Sequence, residues 1–138
     1  GGSEHILVVE DEDIVRRLVV TMLQKSGYTV LEAVDGLQAL AFVESGQHPV
    51  PALVVTDVVM PNMTGVHLAR RLWTQYPGLR VIFTSGYTDD ELQRYEIDQC
   101  ASFFLSKPYE PDQLVRLVRR VLDGTGHPPQ GEDGLPGL

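Results

Sequence analysis

Two apolar, β-branched runs in this chain stop abruptly at carboxylates. His5-Ile6-Leu7-Val8-Val9 runs into Glu10-Asp11-Glu12-Asp13, and Ala52-Leu53-Val54-Val55-Thr56 runs into Asp57. A short run without polar alternation is the pattern of a strand buried on both faces, and such strands belong to parallel sheets covered by helices. Amphipathic stretches separate the runs, so the chain reads as repeated βα units of an α/β domain.

The spacing predicts the elements in turn. A helix spans Asp13 to Ser26, with Ile14, Val15, Leu18, Val19, Met22 and Leu23 as its apolar positions, Asp13 as N-cap and Gly27 as its stop. Tyr28 to Ala33 is a second strand. Asp35 and Gln38 have capping-box spacing for a helix carrying Leu37, Leu40, Ala41 and Val43 and ending at Gly46. After the Ala52–Thr56 strand, Thr64 caps a helix to about Tyr76, with Val66, Leu68, Ala69, Leu72 and Trp73 inward. Arg80 to Thr84 is a fourth strand, Asp89 to Gln99 a shorter helix, and Ser102 to Leu105 a fifth strand. Pro111 opens a last helix through Leu122, with Leu114, Val115, Leu117, Val118, Val121 and Leu122 toward the sheet. The Gly/Pro-rich residues 124–138 read as a disordered tail or linker, and residues 1–4 as an expression remnant or disordered lead.

Composition narrows the function classes. The 138 residues make one domain, and with 43% hydrophobic and 22% charged residues no apolar run approaches the ~20 residues of a membrane-spanning helix. A cytoplasmic domain is expected. The net charge of −8 argues against direct nucleic-acid binding, which needs clustered Lys and Arg. Cys100 is the single cysteine and reads as a small apolar residue, so neither an intrachain disulfide nor a cysteine-based metal site is expected. His5, His48, His67 and His127 have no metal-ligand or relay spacing and read as structural or exposed.

In an open parallel sheet the functional crevice lies at the carboxyl ends of the strands. Here those ends carry Glu10-Asp11, Asp57, Ser85 and Lys107-Pro108. Carboxylates drawn together repel, which raises their pKa values or calls for a cation, and Mg²⁺ suits an all-oxygen site. A carboxylate nucleophile, a hard cation and a fixed ammonium are together the parts of a phosphoryl-transfer device.

Ile6-Leu7-Val8-Val9-Glu10-Asp11-Glu12, Thr56-Asp57-Val58-Val59-Met60-Pro61, Val81-Ile82-Phe83-Thr84-Ser85-Gly86-Tyr87 and Phe104-Leu105-Ser106-Lys107-Pro108 resemble, in order and spacing, the receiver domains of two-component response regulators. The resemblance covers residues 5–123. It implies a flavodoxin-like, doubly wound (βα)5 three-layer sandwich whose five-stranded parallel sheet has the order 2-1-3-4-5. It further implies Asp57 as phosphoacceptor from a phosphohistidine, and Mg²⁺ ligated by Asp11, by Glu10 directly or through water, by Asp57 and by the Val59 carbonyl. Lys107 and Ser85 would meet phosphoryl oxygens, and Phe104 would turn inward as the switch. A cis Lys107-Pro108 peptide is implied as well. The partners implied are a sensor histidine kinase or phosphotransfer protein, and a downstream effector or another domain of the same chain. The segment from Phe83 to Asp90, with Lys107-Pro108-Tyr109, resembles the C-terminal receivers of hybrid sensor histidine kinases. The chain departs from the commoner pattern in two places, with Glu10-Asp11 where a double aspartate is usual and Phe104 where Tyr is.

Taken singly the pieces are bland. Glu10–Asp13 reads as a solvated acidic turn, Lys107 as a surface lysine and Ser85-Gly86 as a turn. A phosphatase of the haloacid dehalogenase type needs a second acid two residues after its nucleophile, where this chain has Val59. A flavodoxin-type electron carrier needs a Ser/Thr/Gly-rich phosphate loop where Glu10–Asp13 stands. A receiver-like interaction module that works without phosphorylation is the remaining alternative.

Overall fold

The computed structural model describes residues 3–86 and 103–124. The expected helix over Asp89–Gln99, Cys100, His127 and the tail beyond Gly124 lie outside them.

The strands are β1 (His5–Val9), β2 (Thr29–Ala33), β3 (Leu53–Asp57), β4 (Arg80–Ser85) and β5 (Phe103–Ser106). They form one parallel sheet in the order β2-β1-β3-β4-β5. The helices among the described residues are α1 (Asp13–Lys25), α2 (Gly36–Glu44), α3 (Gly65–Gln75) and α4 (Pro111–Asp123).

Side chains on a strand alternate between faces, so each central strand feeds two cores. Leu7 and Val9 of β1, Val54 of β3 and Val81 and Phe83 of β4 pack under α2 and α3 with Leu40, Val66, Leu68 and Leu72. Ile6, Val8, Leu53, Val55 and Ile82 point the other way, against Val19, Val20 and Leu23 of α1 and Leu114, Leu117, Val118 and Val121 of α4. The result is the expected three-layer α/β sandwich. All of β3 is buried, whereas the edge strands β2 and β5 are mostly part-exposed.

Helix ends follow local chemistry. Thr64 accepts a hydrogen bond from the His67 amide at 3.1 Å, and Asp35 one from the Gln38 amide at 2.9 Å. Gln38 returns the bond to the Val34 amide, 2.9 Å, one residue earlier than the capping box predicts. Pro111 is the first residue of α4, and Gln113 accepts from the Glu110 amide at 2.7 Å.

Three local expectations are corrected. The N-cap of α1 is Glu12, and Asp13 stands inside the helix, where its carboxylate is taken by Arg16. The buried stripe of that helix is Arg16, Val19, Val20 and Leu23, leaving Ile14 84% and Leu18 57% exposed. In α2 the buried positions are Gly36, Ala39 and Leu40, while Leu37 and Ala41, expected on the inner face, are exposed, because the helix turns its Gly36–Ala39–Leu40 side to the sheet. The Glu4 carboxylate pairs with Arg119 at 2.9 Å, and its carbonyl accepts from the Thr29 amide.

Candidate functional site

The strand order reverses between β1 and β3, and a crevice opens there at the carboxyl ends of the strands. Glu10 follows β1 directly, and its amide donates to the Ala33 carbonyl at 3.1 Å, so the β1–β2 ladder carries it to the rim. Asp57 is the last residue of β3. Oxygens of Glu10, Asp11 and Asp57 all lie within 4.8 Å of one another, with Glu10 and Asp57 buried and Asp11 the most solvent-facing of the three. Such a set of hard anionic oxygens fits a hard divalent cation such as Mg²⁺.

Lys107 closes the far side. Its Nζ lies 3.1 Å from Asp57 Oδ2 and 3.2 Å from Glu10 Oε1. Its amide donates to the Ser85 carbonyl at 2.7 Å, which ties the turn after β5 to the end of β4, and the Lys107-Pro108 peptide is cis, as expected. The remaining oxygens are also engaged. Asp57 Oδ1 accepts from the Val58 amide at 3.0 Å, and Glu10 Oε2 from the Glu12 amide at 3.2 Å.

Burial pushes the Asp57 carboxyl above its usual range, and the Lys107 ammonium only partly offsets this. Burial raises Glu10 too, with the Asp57 charge adding to it. For Lys107 burial pulls downward, but the facing charges of Asp57 and Glu10 outweigh it and the net shift is upward. Beside them burial raises the Tyr109 phenol. The shifted groups share one crevice, as at sites built for charge transfer.

Of the residues singled out from the sequence, Glu10, Asp11, Asp57 and Lys107 are brought together directly. Ser85 ends β4, buried, one position past Thr84, which is the cross-strand partner of Asp57. Its hydroxyl donates to the Gly86 carbonyl at a long 3.4 Å. Val59 is 49% exposed, and its hydrocarbon side chain leaves only the main-chain carbonyl as an atom it could offer a cation. Phe104 pairs in register with Phe83 and packs partly buried against the α2/α3 core.

Gly65 was not foreseen. Its amide donates to the Val58 carbonyl at 2.8 Å, and a Cβ there would collide with the Asp57 carbonyl oxygen. Only a glycine lets α3 start so close behind Asp57. A glycine directly after the Thr64 cap, at a position that costs helix propensity, was the available signal. Arg16 was missed as well, although it falls on the stripe that continues to Val19, Val20 and Leu23.

The response regulator receiver domain family matches residues 6–119 of this chain. The chain belongs to that family. As a receiver domain of two-component signalling it shares 43% identity over 123 residues with the sensor kinase CckA of Brucella abortus, covering 89% of this chain and 13% of that protein. It is 34% identical over 119 residues to the response regulator receiver protein CpdR of the same organism, covering 86% of this chain and 97% of CpdR. Among solved structures, NtrX from Brucella abortus superposes with a TM-score of 0.79 at 30% identity, over 90% of this chain and 28% of NtrX. The receiver domain therefore spans nearly all of one relative and a small part of others. Receiver domains bind Mg²⁺ at an acidic pocket and work with histidine kinases or phosphotransfer proteins, and the acidic cluster here is of that type.

Proposed function

We propose that Asp57 accepts a phosphoryl group from a phosphohistidine of a sensor histidine kinase or phosphotransfer protein. The observation that carries this reading is Lys107 Nζ held 3.1 Å from Asp57 Oδ2 and 3.2 Å from Glu10 Oε1, beside the carboxylate cluster. An Asp57 oxygen attacks phosphorus as the phosphorus–nitrogen bond breaks, and the imidazole leaves with its electron pair. Glu10, Asp11, Asp57 and the Val59 carbonyl would hold Mg²⁺, which when bound supplies positive charge to the phosphoryl oxygens. Lys107 moves from its carboxylate partners to a phosphoryl oxygen, and the Ser85 hydroxyl turns from Gly86 to donate to another. Phe104, next to the paired Phe83 ring, then turns inward and changes the surface that an effector or neighbouring domain reads.

The donor protein docks beside the site. Ile14 and Leu18 of α1 are exposed, and an apolar cleft of about 400 Å³ runs from Val15, Leu18 and Met22 to Pro108, Tyr109 and Pro111, with Lys107 on its edge. A helix bundle carrying the phosphohistidine would cover this face as it reaches Asp57. The likeness to CckA favours a hybrid sensor kinase as the parent chain, with the receiver in the cytoplasm. Among the described residues no helix is long and apolar enough to cross a membrane.

The test is intact mass after incubation with Mg²⁺ and a small phosphodonor. The wild-type chain is expected to gain one phosphoryl group and Asp57→Asn none. Equal labelling of the two overturns the acceptor assignment. No labelling of wild type, even with a cognate kinase, leaves the phosphorylation-independent interaction module as the reading.

A further inference from the structure

Arg16 is a charged side chain on the buried stripe of α1, with only 9% of its side-chain surface exposed. Its guanidinium makes three bonds in three directions. Nε donates to Glu32 Oε1 on β2 at 3.0 Å, Nη2 to Asp13 Oδ1 at 2.6 Å, and Nη1 to the backbone carbonyl of Glu10 at 3.0 Å. That carbonyl belongs to the peptide linking Glu10 to Asp11. On its other side the Glu10 amide is held by the Ala33 carbonyl. The backbone carrying two of the three clustered carboxylates is therefore gripped from α1 and from β2 at once.

We infer that Arg16 is a positioning residue for the acidic pocket, which orients the Glu10–Asp11 peptide so that both carboxylates face the cation position beside Asp57. This rests on the proposed Mg²⁺-dependent reading of the site. The planar fork of arginine is required, because a lysine ammonium cannot hold Glu32, Asp13 and a backbone carbonyl in a fixed plane. Arg16 touches no reacting atom. It acts through the backbone, as groups behind metal ligands commonly do, where their loss lowers metal affinity roughly 10–100-fold.

The direction of the effect separates positioning from bulk charge. Removing a cation this near three carboxylates would by Coulomb's law tighten Mg²⁺ binding, whereas removing an orienting group weakens it. The experiment is calorimetric titration of Mg²⁺ into the whole chain for wild type, Arg16→Met and Arg16→Lys, well below each melting temperature. ¹H–¹⁵N spectra of the metal-free proteins are recorded alongside. The expected result is binding about 10-fold weaker in both variants, with the Asp11 and Glu12 amides displaced in the metal-free spectra. Unchanged or tighter Mg²⁺ binding in folded Arg16→Lys overturns the inference. Absence of Mg²⁺ binding by wild type overturns instead the metal reading of the site, and the metal-free spectra then decide Arg16: displaced Asp11 and Glu12 amides uphold its grip on that turn, and unmoved ones end it. If Arg16→Met does not fold, Arg16→Lys alone decides.

Discussion

Lys107 Nζ lies 3.1 Å from Asp57 Oδ2, and the two residues are fifty positions apart in the chain. The pair is partly buried, with the lysine side chain 22% and the aspartate side chain 12% exposed, so the charge compensation it supplies is only partly screened.

Lys107→Met is expected to lower stability near neutral pH by about 2 kcal/mol, since it leaves two buried carboxylates facing each other. Asp57 and Glu10 already have folded pKa values above their usual ranges, so across that interval the folded state holds more protons than the unfolded one. Stability contributed by these groups therefore falls as pH rises from the ordinary carboxylate range through the raised values. The raised Lys107 pKa has the same sign in a higher window: its contribution is fully present below the unfolded lysine value and is lost as alkaline pH rises through the folded one. Urea midpoints at acid and neutral pH should show the variant losing more than wild type between the two. A constant difference would show that Lys107 does not compensate these carboxylates.

Asp57→Asn removes one of the repelling charges and leaves Lys107 its Glu10 partner. The metal-free variant should melt a few degrees above wild type, on the order of 1 kcal/mol. An equal or lower melting temperature would mean that the Lys107 pair outweighs the repulsion.

Divalent metal should reverse that ranking. At a Mg²⁺ concentration ten times its dissociation constant, wild type gains about 1.4 kcal/mol by mass action, and the gain disappears with a chelator. Thermal melts of wild type and Asp57→Asn with and without Mg²⁺ check this, the variant being expected to gain little. Equal Mg²⁺ stabilisation of both would move the cation away from Asp57.

Gly65→Ala should cost about 2–4 kcal/mol, because the added methyl meets the Asp57 backbone rather than a flexible side chain that could move aside. Its neighbour provides the contrast. Thr64→Ala loses only the cap to the His67 amide, about 1 kcal/mol. Chemical denaturation ranks the two, and labelling at Asp57 should fall in the first and persist in the second. Equal costs would show that α3 can retreat from Asp57 without penalty.

The amino-acid sequence by itself determined the sheet and its acidic ends, because runs such as Leu53–Thr56 have nowhere to go but a two-sided core and stop where charge begins. It also specified the helix starts at Asp35, Thr64 and Pro111, whose chemistry is local. By resemblance, the matching stretches carried the strand order and the roles expected of Asp57, Ser85 and Lys107. Tertiary structure alone decided which face of α1 is buried. Hydropathy places charges outside, yet Arg16 is in and Ile14 and Leu18 are out, since Glu32, Asp13 and the Glu10 carbonyl satisfy the guanidinium and no part of the described fold covers those two apolar side chains. The same holds for Gly65, whose necessity arises from a carbonyl on another element. Contacts between elements depend on how strands and helices stack, and a linear pattern records only the propensities of each element taken alone.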